Sequence, residues 1–493
     1  MKYSRITVSP ESLGIPSGKI MDFINFLKES KYNMHSFMIV KDGKTALEAY
    51  YAPFKKEDKK RLYSCSKTIC ALAVGKLVGD GLVSVSDPLI NYFPDVKYCD
   101  PVMKTVTIEE VLTMTLPMSA CPYGYGCKSS DESDDIVIKS SWVEAFFSGV
   151  YVDETMRGKF RYASHGSYML AALVEAVTGM DVAEYLRPIF DKIGISRDID
   201  LVTSPEGIFW GSSGMLCSMR DFSLMGELLL NRGYMNGEQL LPRDYMEKAT
   251  APLVSAMESY FKHPYGYGYQ VWGQKYGFGM HGMLGQNVFC YPDKNMLFVH
   301  NSNHPQAIRA RLYEKVSEIY KATENAPLKE GADYELLKKT LSGLKIDRSL
   351  GAAHSDIEKR VNEKTYFLSE NPMGISYFRL VFEKEKGAFV YYKDGKERTL
   401  YFGYGDYYDT TFPETKYYSL KITESANREL RTLSTGSWIF ENELIILADV
   451  SDTTYGTLEV RIKFDGKGAR LAMSKIGEAI FAEYQGEAFG TAN

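Results

Sequence analysis

A serine and a lysine lie three residues apart at the start of an apolar stretch, in the segment Ser64-Cys65-Ser66-Lys67. Apolar residues then recur at helical spacing until Gly79-Asp80-Gly81, which predicts a mostly buried helix. Side chains three positions apart share a helix face, so Ser64 and Lys67 can meet. A serine hydroxyl becomes a nucleophile when a base lies within hydrogen-bond reach. A lysine amine can be that base where burial beside the positive helix end disfavours its charged form.

The spacing S-x-x-K also fits an N-cap serine beside a solvated lysine. A second copy, Ser342-Gly343-Leu344-Lys345, lies in a polar, Lys-rich segment without an apolar helix behind it, so we expect no chemistry there. Ser66 does not compete with Ser64, because adjacent helical residues point about 100° apart. Further motifs in the chain must therefore decide whether Ser64 is a nucleophile.

A tyrosine, Tyr162, precedes a second apolar helix predicted from Tyr168 to Thr178. Among small polar neighbours its phenol either faces a cleft or packs in the core. His165 fits a packed or surface histidine better than a base.

A glycine-rich segment, Gly277 to Gln286, contains the pattern G-x-G-x-x-G. A strand follows this pattern instead of a helix, which disfavours dinucleotide binding. Glycines beside a strand instead let a ligand approach the backbone closely.

The elements that must position these residues alternate between helices and strands. The pattern predicts a helix over residues 10–30, a hairpin over 35–51, a capping box from Thr107 to Glu110, helices over Ile136–Phe147, Met219–Leu230 and 306–323, strands over 266–272, and a hairpin over 286–300. Residues 324–327 indicate a boundary. From about residue 357, aromatic-rich alternation predicts an antiparallel β barrel or sandwich.

Composition excludes several classes of function. The 493 residues are 45% hydrophobic and 25% charged, with a net charge of −5 and no Lys/Arg-rich run, which argues against nucleic acid as a partner. No stretch reaches about 20 apolar residues, so no membrane span is expected. The first residues lack a signal-peptide core, which favours a cytoplasmic address. Nothing selects an oligomeric state.

The cysteines and histidines give no metal site. Seven cysteines favour free, buried thiols, although Cys121 and Cys127 could close a small loop. The acidic cluster between Asp131 and Asp135 fits a solvated loop or an attractor of cationic substrates. No metal-ligand spacing occurs, so neither a metal nor another cofactor is expected.

Three motifs in order make the first ~320 residues resemble the serine β-lactamase and penicillin-binding-protein superfamily, on its class C β-lactamase, D,D-peptidase and esterase side. Ser64 to Lys67 matches S-x-x-K, Tyr162-Ala163-Ser164 stands where the family carries Y-x-N, and His281-Gly282-Met283 stands where it carries K-T-G or H-x-G. The resemblance implies an α+β fold, an antiparallel sheet flanked by helices with a helical subdomain. The expected domains are a hydrolase domain over 1–325, a helical connector over 326–350 and a β-rich accessory domain over 351–493, and some similar peptidases carry a lipocalin-like barrel there.

The resemblance also implies roles. Ser64, Lys67 and Tyr162 would be catalytic, with the base either Lys67 or Tyr162. Substrate-binding residues would be Ser164, His281, Gly282, Met283 and Leu284, and the oxyanion would be held by the backbone N–H of Ser64 and that of Met283 or Leu284.

Two departures bear on the substrate. Ser164 replaces the family's asparagine and His281 replaces its lysine, which weakens recognition of penicillin-type carboxylates. The resemblance therefore implies a serine hydrolase that acts through an acyl-enzyme on a small ester, amide or short peptide, as an esterase, a D-amino-acid peptidase, an amide hydrolase or a weak β-lactamase. The alternative is a catalytically silent module that binds peptides or cell-wall fragments. Loop residues Tyr404 to Tyr408 would either cover the cleft or belong to an accessory domain.

Overall fold

The computed structural model of the chain describes residues 5–120, 141–259, 262–304, 309–414, 430–452, 454–477 and 481–492. The expected acidic cluster and the Cys121–Cys127 loop lie outside these residues. The helices within them are α1 (Ser17–Glu29), α2 (Cys65–Gly79), α3 (Ile108–Thr113), α4 (Trp142–Phe147), α5 (Ser164–Thr178), α6 (Val182–Tyr185), α7 (Arg187–Ile193), α8 (Met219–Leu230), α9 (Arg243–Ala249), α10 (Arg309–Ala322), α11 (Ala332–Leu341) and α12 (Glu358–Val361).

An eight-stranded antiparallel sheet forms the centre of the first domain. Its strands are β1 (Met34–Lys41), β2 (Lys44–Tyr50), β8 (Val254–Ala256), β9 (His263–Tyr267), β10 (Trp272–Gln274), β11 (Gly277–Gly282), β12 (Gln286–Tyr291) and β13 (Met296–Ser302). They lie in the order β2-β1-β13-β12-β11-β10-β9-β8. Helix α8 packs on one face of this sheet, and α1 and α10 contribute to the core on the other face.

Five short strands complete the first domain. Strands β3 (Lys60–Arg61), β4 (Asp200–Leu201) and β5 (Met215–Cys217) form one small sheet, and β6 (Tyr234–Met235) pairs with β7 (Glu238–Gln239). Strand β3 leads directly into the start of α2. Its pairing with β5 therefore fixes the chain just before Ser64.

Helix α2 is apolar on almost all of its faces, and such a helix is stable only when it is enclosed. It packs against α5 and belongs to the largest apolar core of the domain. The predicted buried helix after Ser64 is thereby confirmed, as are helix Met219–Leu230 and the Thr107–Glu110 capping box.

The C-terminal strands close into a barrel. They are β14 (Thr365–Leu368), β15 (Ile375–Phe382), β16 (Gly387–Lys393), β17 (Lys396–Tyr404), β18 (Tyr408–Thr411), β19 (Arg431–Phe440), β20 (Glu443–Ser451), β21 (Tyr455–Asp465), β22 (Gly468–Gly477) and β23 (Gly486–Ala492). Nine of them run in the ring β17-β16-β15-β14-β23-β22-β21-β20-β19, and a parallel β17–β19 contact closes it. Apolar side chains such as Phe389, Ile446 and Val460 form its buried core. The expected fold class is confirmed. Of the two predicted forms of the C-terminal domain, barrel and sandwich, the structure shows the barrel.

Several element boundaries differ from those predicted. Helix α1 begins at Ser17, after a short 3-10 turn that ends at Gly14 with a positive φ of 75°. Helix α5 begins at Ser164, four residues before the predicted start, because polar residues of its first turn are also buried. No helix within the described ranges is both long and apolar enough to cross a membrane.

The barrel packs directly on the first domain. Leu433 of β19 joins the core formed by α1, α10 and the sheet. The Asn303 amide donates a hydrogen bond to the Val450 carbonyl (3.3 Å), and the buried carboxylate of Asp449 lies 3.5 Å from the Arg348 guanidinium. The two domains therefore share a continuous, partly polar interface.

The aromatic loop from Tyr404 to Tyr408 contacts this interface and the barrel. The Tyr404 hydroxyl donates hydrogen bonds to the carbonyls of Glu383 and Lys386, and the Tyr407 hydroxyl donates to Asp449 (2.5 Å). Asp406 pairs with Lys345, which belongs to the second S-x-x-K copy.

A buried lysine at this interface gives a test of the packing. Lys60 is 4% exposed, its Nζ lies 3.4 Å from the centre of the Phe54 ring, and burial lowers its pKa to about 7. An unfolded chain keeps the ordinary value of 10.5, so between about pH 7 and 10.5 the unfolded state binds more protons. Stability therefore rises with pH across this window, by ~1 to 4 kcal/mol from this group.

We expect Lys60→Met to lose this rise, so its melting temperature should exceed that of the wild type at pH 6 to 7 by several degrees and the two should converge toward pH 10. Lys59→Met is the matched control, because Lys59 is more exposed and pairs with Asp198 and Asp200. Thermal unfolding across pH 6–10 measures the effect. Parallel curves for Lys60→Met and the wild type would contradict burial of this amine.

Candidate active site

Ser64 lies at the N-cap of α2, and Lys67 lies in the first turn. The Lys67 Nζ is 3.2 Å from the Ser64 Oγ and donates a hydrogen bond to the Ser212 carbonyl at 2.6 Å. The Lys67 side chain is buried, whereas Ser64 is half-buried. The structure thus brings the predicted pair within hydrogen-bond reach at the edge of the buried core.

The Ser212 carbonyl is positioned by a tight glycine-bounded turn. A Cβ on Gly211 would lie 2.6 Å from the Cys70 sulfur and 2.8 Å from Ala171, and a Cβ on Gly214 would lie 2.6 Å from the Val202 carbonyl. These distances are below any tolerated contact, so only glycine fits. The turn therefore packs closely on α2 and α5 and holds an acceptor for the lysine amine.

Tyr162 comes two residues before α5, and its phenol hydrogen-bonds to the Ser64 side chain. Its ring stacks on Trp272, with centroids 5.8 Å apart, and the Lys67 Nζ lies 5.0 Å from its centre. Burial raises the pKa of the phenol, and the hydrogen bond to Ser64 acts in the opposite direction. At neutral pH the phenol is therefore protonated and can donate its proton.

The end of β11 forms the other wall. A Cβ on Gly282 would lie 2.4 Å from the Leu62 carbonyl, so glycine is needed for this strand to approach the start of α2. The turn that follows contains Met283 and Leu284, the latter with a φ of 59°. Within the described residues, the backbone N–H groups of Ser64, Met283 and Leu284 donate no hydrogen bond. Such N–H groups can bind an oxyanion.

The residue before the nucleophile has an unusual backbone conformation. Tyr63 adopts a φ of 49°, in the left-handed region that bulky residues rarely enter. Such a conformation costs about 1–3 kcal/mol and persists only when the surroundings enforce it. The surroundings here are a buried cluster of Tyr63, Leu284 and the barrel residue Tyr455, with Met283 against it.

His281 is placed differently from the other predicted residues. Met280 belongs to the core around α2, and because side chains alternate along a strand, His281 points to the opposite face. There its Nδ1 lies 2.7 Å from the Asn287 Oδ1 and its ring stacks on Tyr313 of α10 at 5.1 Å. The structure therefore does not bring the imidazole to Ser64.

The environment of His281 keeps it neutral. Burial lowers its pKa well below the ordinary value, and the positive charge of Arg309 adds to this effect. The Arg309 Nε donates to the Tyr313 hydroxyl at 2.6 Å, and that hydroxyl lies 3.0 Å from the His281 Nδ1. A neutral ring in this network orders α10 against the sheet.

The other serine, histidine and cysteine candidates lie in or beside helices. Ser164 is half-buried and is the first residue of α5, two positions after Tyr162. His165 is buried, and burial lowers its pKa to about 3, so it is a packed histidine as expected. The Cys65 thiol donates to the Gln286 carbonyl, away from Lys67. The Ser342 hydroxyl donates to the Lys339 carbonyl on the surface.

Two contacts escaped the sequence reasoning. The Ser212 carbonyl is a backbone atom, so no residue type announces it, although the small-residue run Gly211-Ser212-Ser213-Gly214 is a signal of a tight turn. Tyr455 lies 392 positions from Tyr63, and no local pattern relates two residues so distant.

A family model and a known enzyme match the sequence of this chain. The sequence model of the family described as Beta-lactamase matches residues 26–320. The chain is similar to the 6-aminohexanoate-dimer hydrolase of Paenarthrobacter ureafaciens, at 24% identity over 301 residues, which are 55% of this chain and 72% of that protein.

One solved structure supports the fold. The chain is similar to a "Putative 6-aminohexanoate-dimer hydrolase from Bacillus anthracis", at 20% identity and a TM-score of 0.53, over 66% of this chain and 89% of that one. It is also similar to the octameric penicillin-binding protein homologue of Pyrococcus abyssi, at 16% identity and a TM-score of 0.46, over 96% and 99% of the two chains.

The neutrality of His281 can be measured directly. Because its pKa lies well below 6.5, we expect its ring NMR signals, assigned by their loss in His281→Gln, to stay constant between pH 5 and 8. Free histidine added to the sample serves as the titrating reference. A His281 signal that shifts through this range in step with the reference would contradict the buried, neutral ring.

Proposed function

The chain belongs to the Beta-lactamase family, whose members include serine hydrolases, and from this premise we propose that Ser64 is the nucleophile that forms an acyl-enzyme with an ester or a linear amide. One observation carries the proposal: the Ser64 Oγ lies 3.2 Å from the Lys67 Nζ and is hydrogen-bonded to Tyr162. A hydroxyl with two proton-handling neighbours at the start of a buried helix is suited to nucleophilic attack.

Lys67 receives the proton in the first step. The Ser64 oxygen bonds to the substrate carbonyl carbon while its proton passes to the Lys67 amine, 3.2 Å away. The Ser212 carbonyl accepts a hydrogen bond from that amine and so holds it beside Ser64. Tyr162 is the weaker candidate for this base, because burial keeps its phenol protonated.

The negative charge on the substrate oxygen is then held by backbone N–H groups. Those of Ser64 and of Met283 or Leu284 flank the nucleophile and are free to donate. One such donor contributes ~3 kcal/mol in related acyl transfers. Tyr162 donates its proton to the leaving amine or alcohol as the carbonyl–heteroatom bond breaks. The Lys67 ammonium then returns a proton to the Tyr162 phenolate. Water then hydrolyses the acyl-enzyme by the same proton transfers in reverse.

The state and direction of the His281 ring support a linear substrate over a penicillin. Penicillins carry a carboxylate that the family's lysine would bind, whereas His281 is neutral and faces away from Ser64. Linear amides and esters need no cation at that position. The name of the Paenarthrobacter relative, a hydrolase of the 6-aminohexanoate dimer, supports a linear amide between an amine and a carboxylic acid.

Covalent labelling tests this function. A fluorophosphonate should add one phosphonyl group to the wild type, detected by intact mass, and none to Ser64→Ala. Ser342→Ala is the matched control, since it removes the serine of the other S-x-x-K copy and should label fully. Turnover of p-nitrophenyl esters and of the 6-aminohexanoate dimer should fall by about 10⁴-fold or more in Ser64→Ala, while a chromogenic cephalosporin should be a poor substrate of the wild type.

Two results would overturn the proposal. Equal labelling of the wild type and Ser64→Ala would place the nucleophile elsewhere. A wild type that neither labels nor turns over any ester or amide, yet binds peptides or cell-wall fragments, would identify a silent binding module.

A further inference from the structure

Tyr63 needs an external support for its backbone conformation, and the barrel supplies it. The backbone N–H of Tyr455 donates a hydrogen bond to the Tyr63 hydroxyl at 2.7 Å. The two rings meet edge to face, with centroids 5.5 Å apart and planes at 71°. Both side chains are almost fully buried, at 1% and 0% exposure. The contact is therefore dry and directional, which fixes the position of the Tyr63 ring.

The cluster that holds Tyr455 also includes the opposite wall of the candidate site. Leu284 belongs to the cluster of Tyr63 and Tyr455, and Met283 packs against it. These two residues lie in the turn whose N–H groups face the substrate oxygen in the proposed function. One buried cluster thus joins the barrel residue Tyr455 to both segments that must be aligned for the reaction.

Tyr455 itself is held from two sides. It begins β21 and pairs with Ser451 of β20, so the barrel fixes its backbone. Its ring meets His35 of β1 at 5.6 Å. Within its own domain, Tyr63 has the Arg61 guanidinium 4.6 Å from its ring centre, and Arg61 donates to the Ser213 carbonyl at 2.9 Å. Tyr63 is therefore clamped between its own domain and the barrel.

We propose that Tyr455 is a positioning residue for Ser64: it acts through Tyr63 and Leu284 to align the nucleophile with Lys67 and with the oxyanion-binding turn. This inference rests on the proposed function, and it gives the barrel a role in aligning the site. The residue does not touch the reacting atoms. Its effect comes from geometry, because a misplacement of about 1 Å in a reacting group can cost 10²-fold in rate.

The test uses full-length variants that differ in one feature each. Tyr63→Phe removes the hydroxyl acceptor and keeps the ring. Tyr455→Leu removes the ring and keeps the backbone N–H and an apolar side chain. Tyr455→Phe keeps both and is the conservative rescue. Tyr407→Phe is the matched control. Tyr407 lies on the barrel side of the interface, where its hydroxyl donates to Asp449, and it does not belong to the Tyr63 cluster.

We expect the rate of fluorophosphonate labelling at Ser64 and the kcat for a p-nitrophenyl ester to fall together, by 10- to 100-fold, in Tyr63→Phe and Tyr455→Leu. KM should change less than threefold, since alignment with the base and oxyanion donors matters in the transition state. Tyr455→Phe and Tyr407→Phe should keep the wild-type rates. Melting temperatures, measured in parallel, separate this effect from loss of the fold.

The proposal is overturned if Tyr63→Phe and Tyr455→Leu both label at the wild-type rate, or if Tyr407→Phe slows labelling as much as they do. If Tyr455→Leu is unfolded, Tyr63→Phe alone decides, because it deletes only one oxygen atom. Failure of the proposed function has a different signature, in which the wild type itself does not label.

Discussion

A short contact between a buried amine and a serine hydroxyl is the constraint on which the rest of this structure depends. The Lys67 Nζ lies 3.2 Å from the Ser64 Oγ on a helix that is enclosed almost completely, and an amine buried there needs a further hydrogen-bond acceptor. The Ser212 carbonyl is that acceptor, and the glycines at 211 and 214 let it come close enough. An enclosed helix of this kind cannot be amphipathic. Its apolar faces and the tight turn beside it are therefore parts of one solution to the burial of a polar pair.

The central sheet and the barrel divide the remaining work. Strand β11 places Gly282 and the following turn next to the start of α2. His281, on the opposite face of the same strand, packs against α10. The barrel reaches the same place from the other side through Tyr455. In our account, the first domain supplies the reacting groups, and the interface with the barrel limits how far the chain at Tyr63 can relax. The aromatic loop around Tyr404 plays no part in this, because its hydroxyls bond within the barrel and its neighbours pair with the connector.

Much of this arrangement could be predicted from the sequence where the signal is local. The apolar run after Ser64, ended by Gly79-Asp80-Gly81, predicts α2, because an enclosed helix is apolar on nearly every face. The pattern of residues 219–230 predicts α8, because a helix buried on one face is apolar at every third or fourth residue. Ser64 and Lys67 follow from helical spacing, since three residues correspond to nearly one turn. The helix after Tyr162 could be predicted in kind but its start could not, because its first turn is polar and is buried by contacts with distant segments.

Other features depend on contacts that no local pattern encodes. The direction of the His281 ring is set by the register of β11, and a shift of one residue would reverse it, so the motif alone could not exclude it from the cleft. The Tyr63–Tyr455 contact requires two domains to be docked. Closure of the barrel likewise depends on a parallel contact between β17 and β19, which hairpin signals do not reveal.

The proposed reaction requires Ser64, Lys67 and Tyr162 to act as one unit. A double-mutant cycle with Lys67→Met and Tyr162→Phe, read as the second-order rate constant for phosphonylation of Ser64, tests it most directly. If the three groups share one proton-transfer path, each single change should slow the reaction by roughly 10²-fold or more, and the double variant should be little slower than the worse single variant. Losses that simply multiply, or a Lys67→Met variant that reacts at the wild-type rate, would contradict the account.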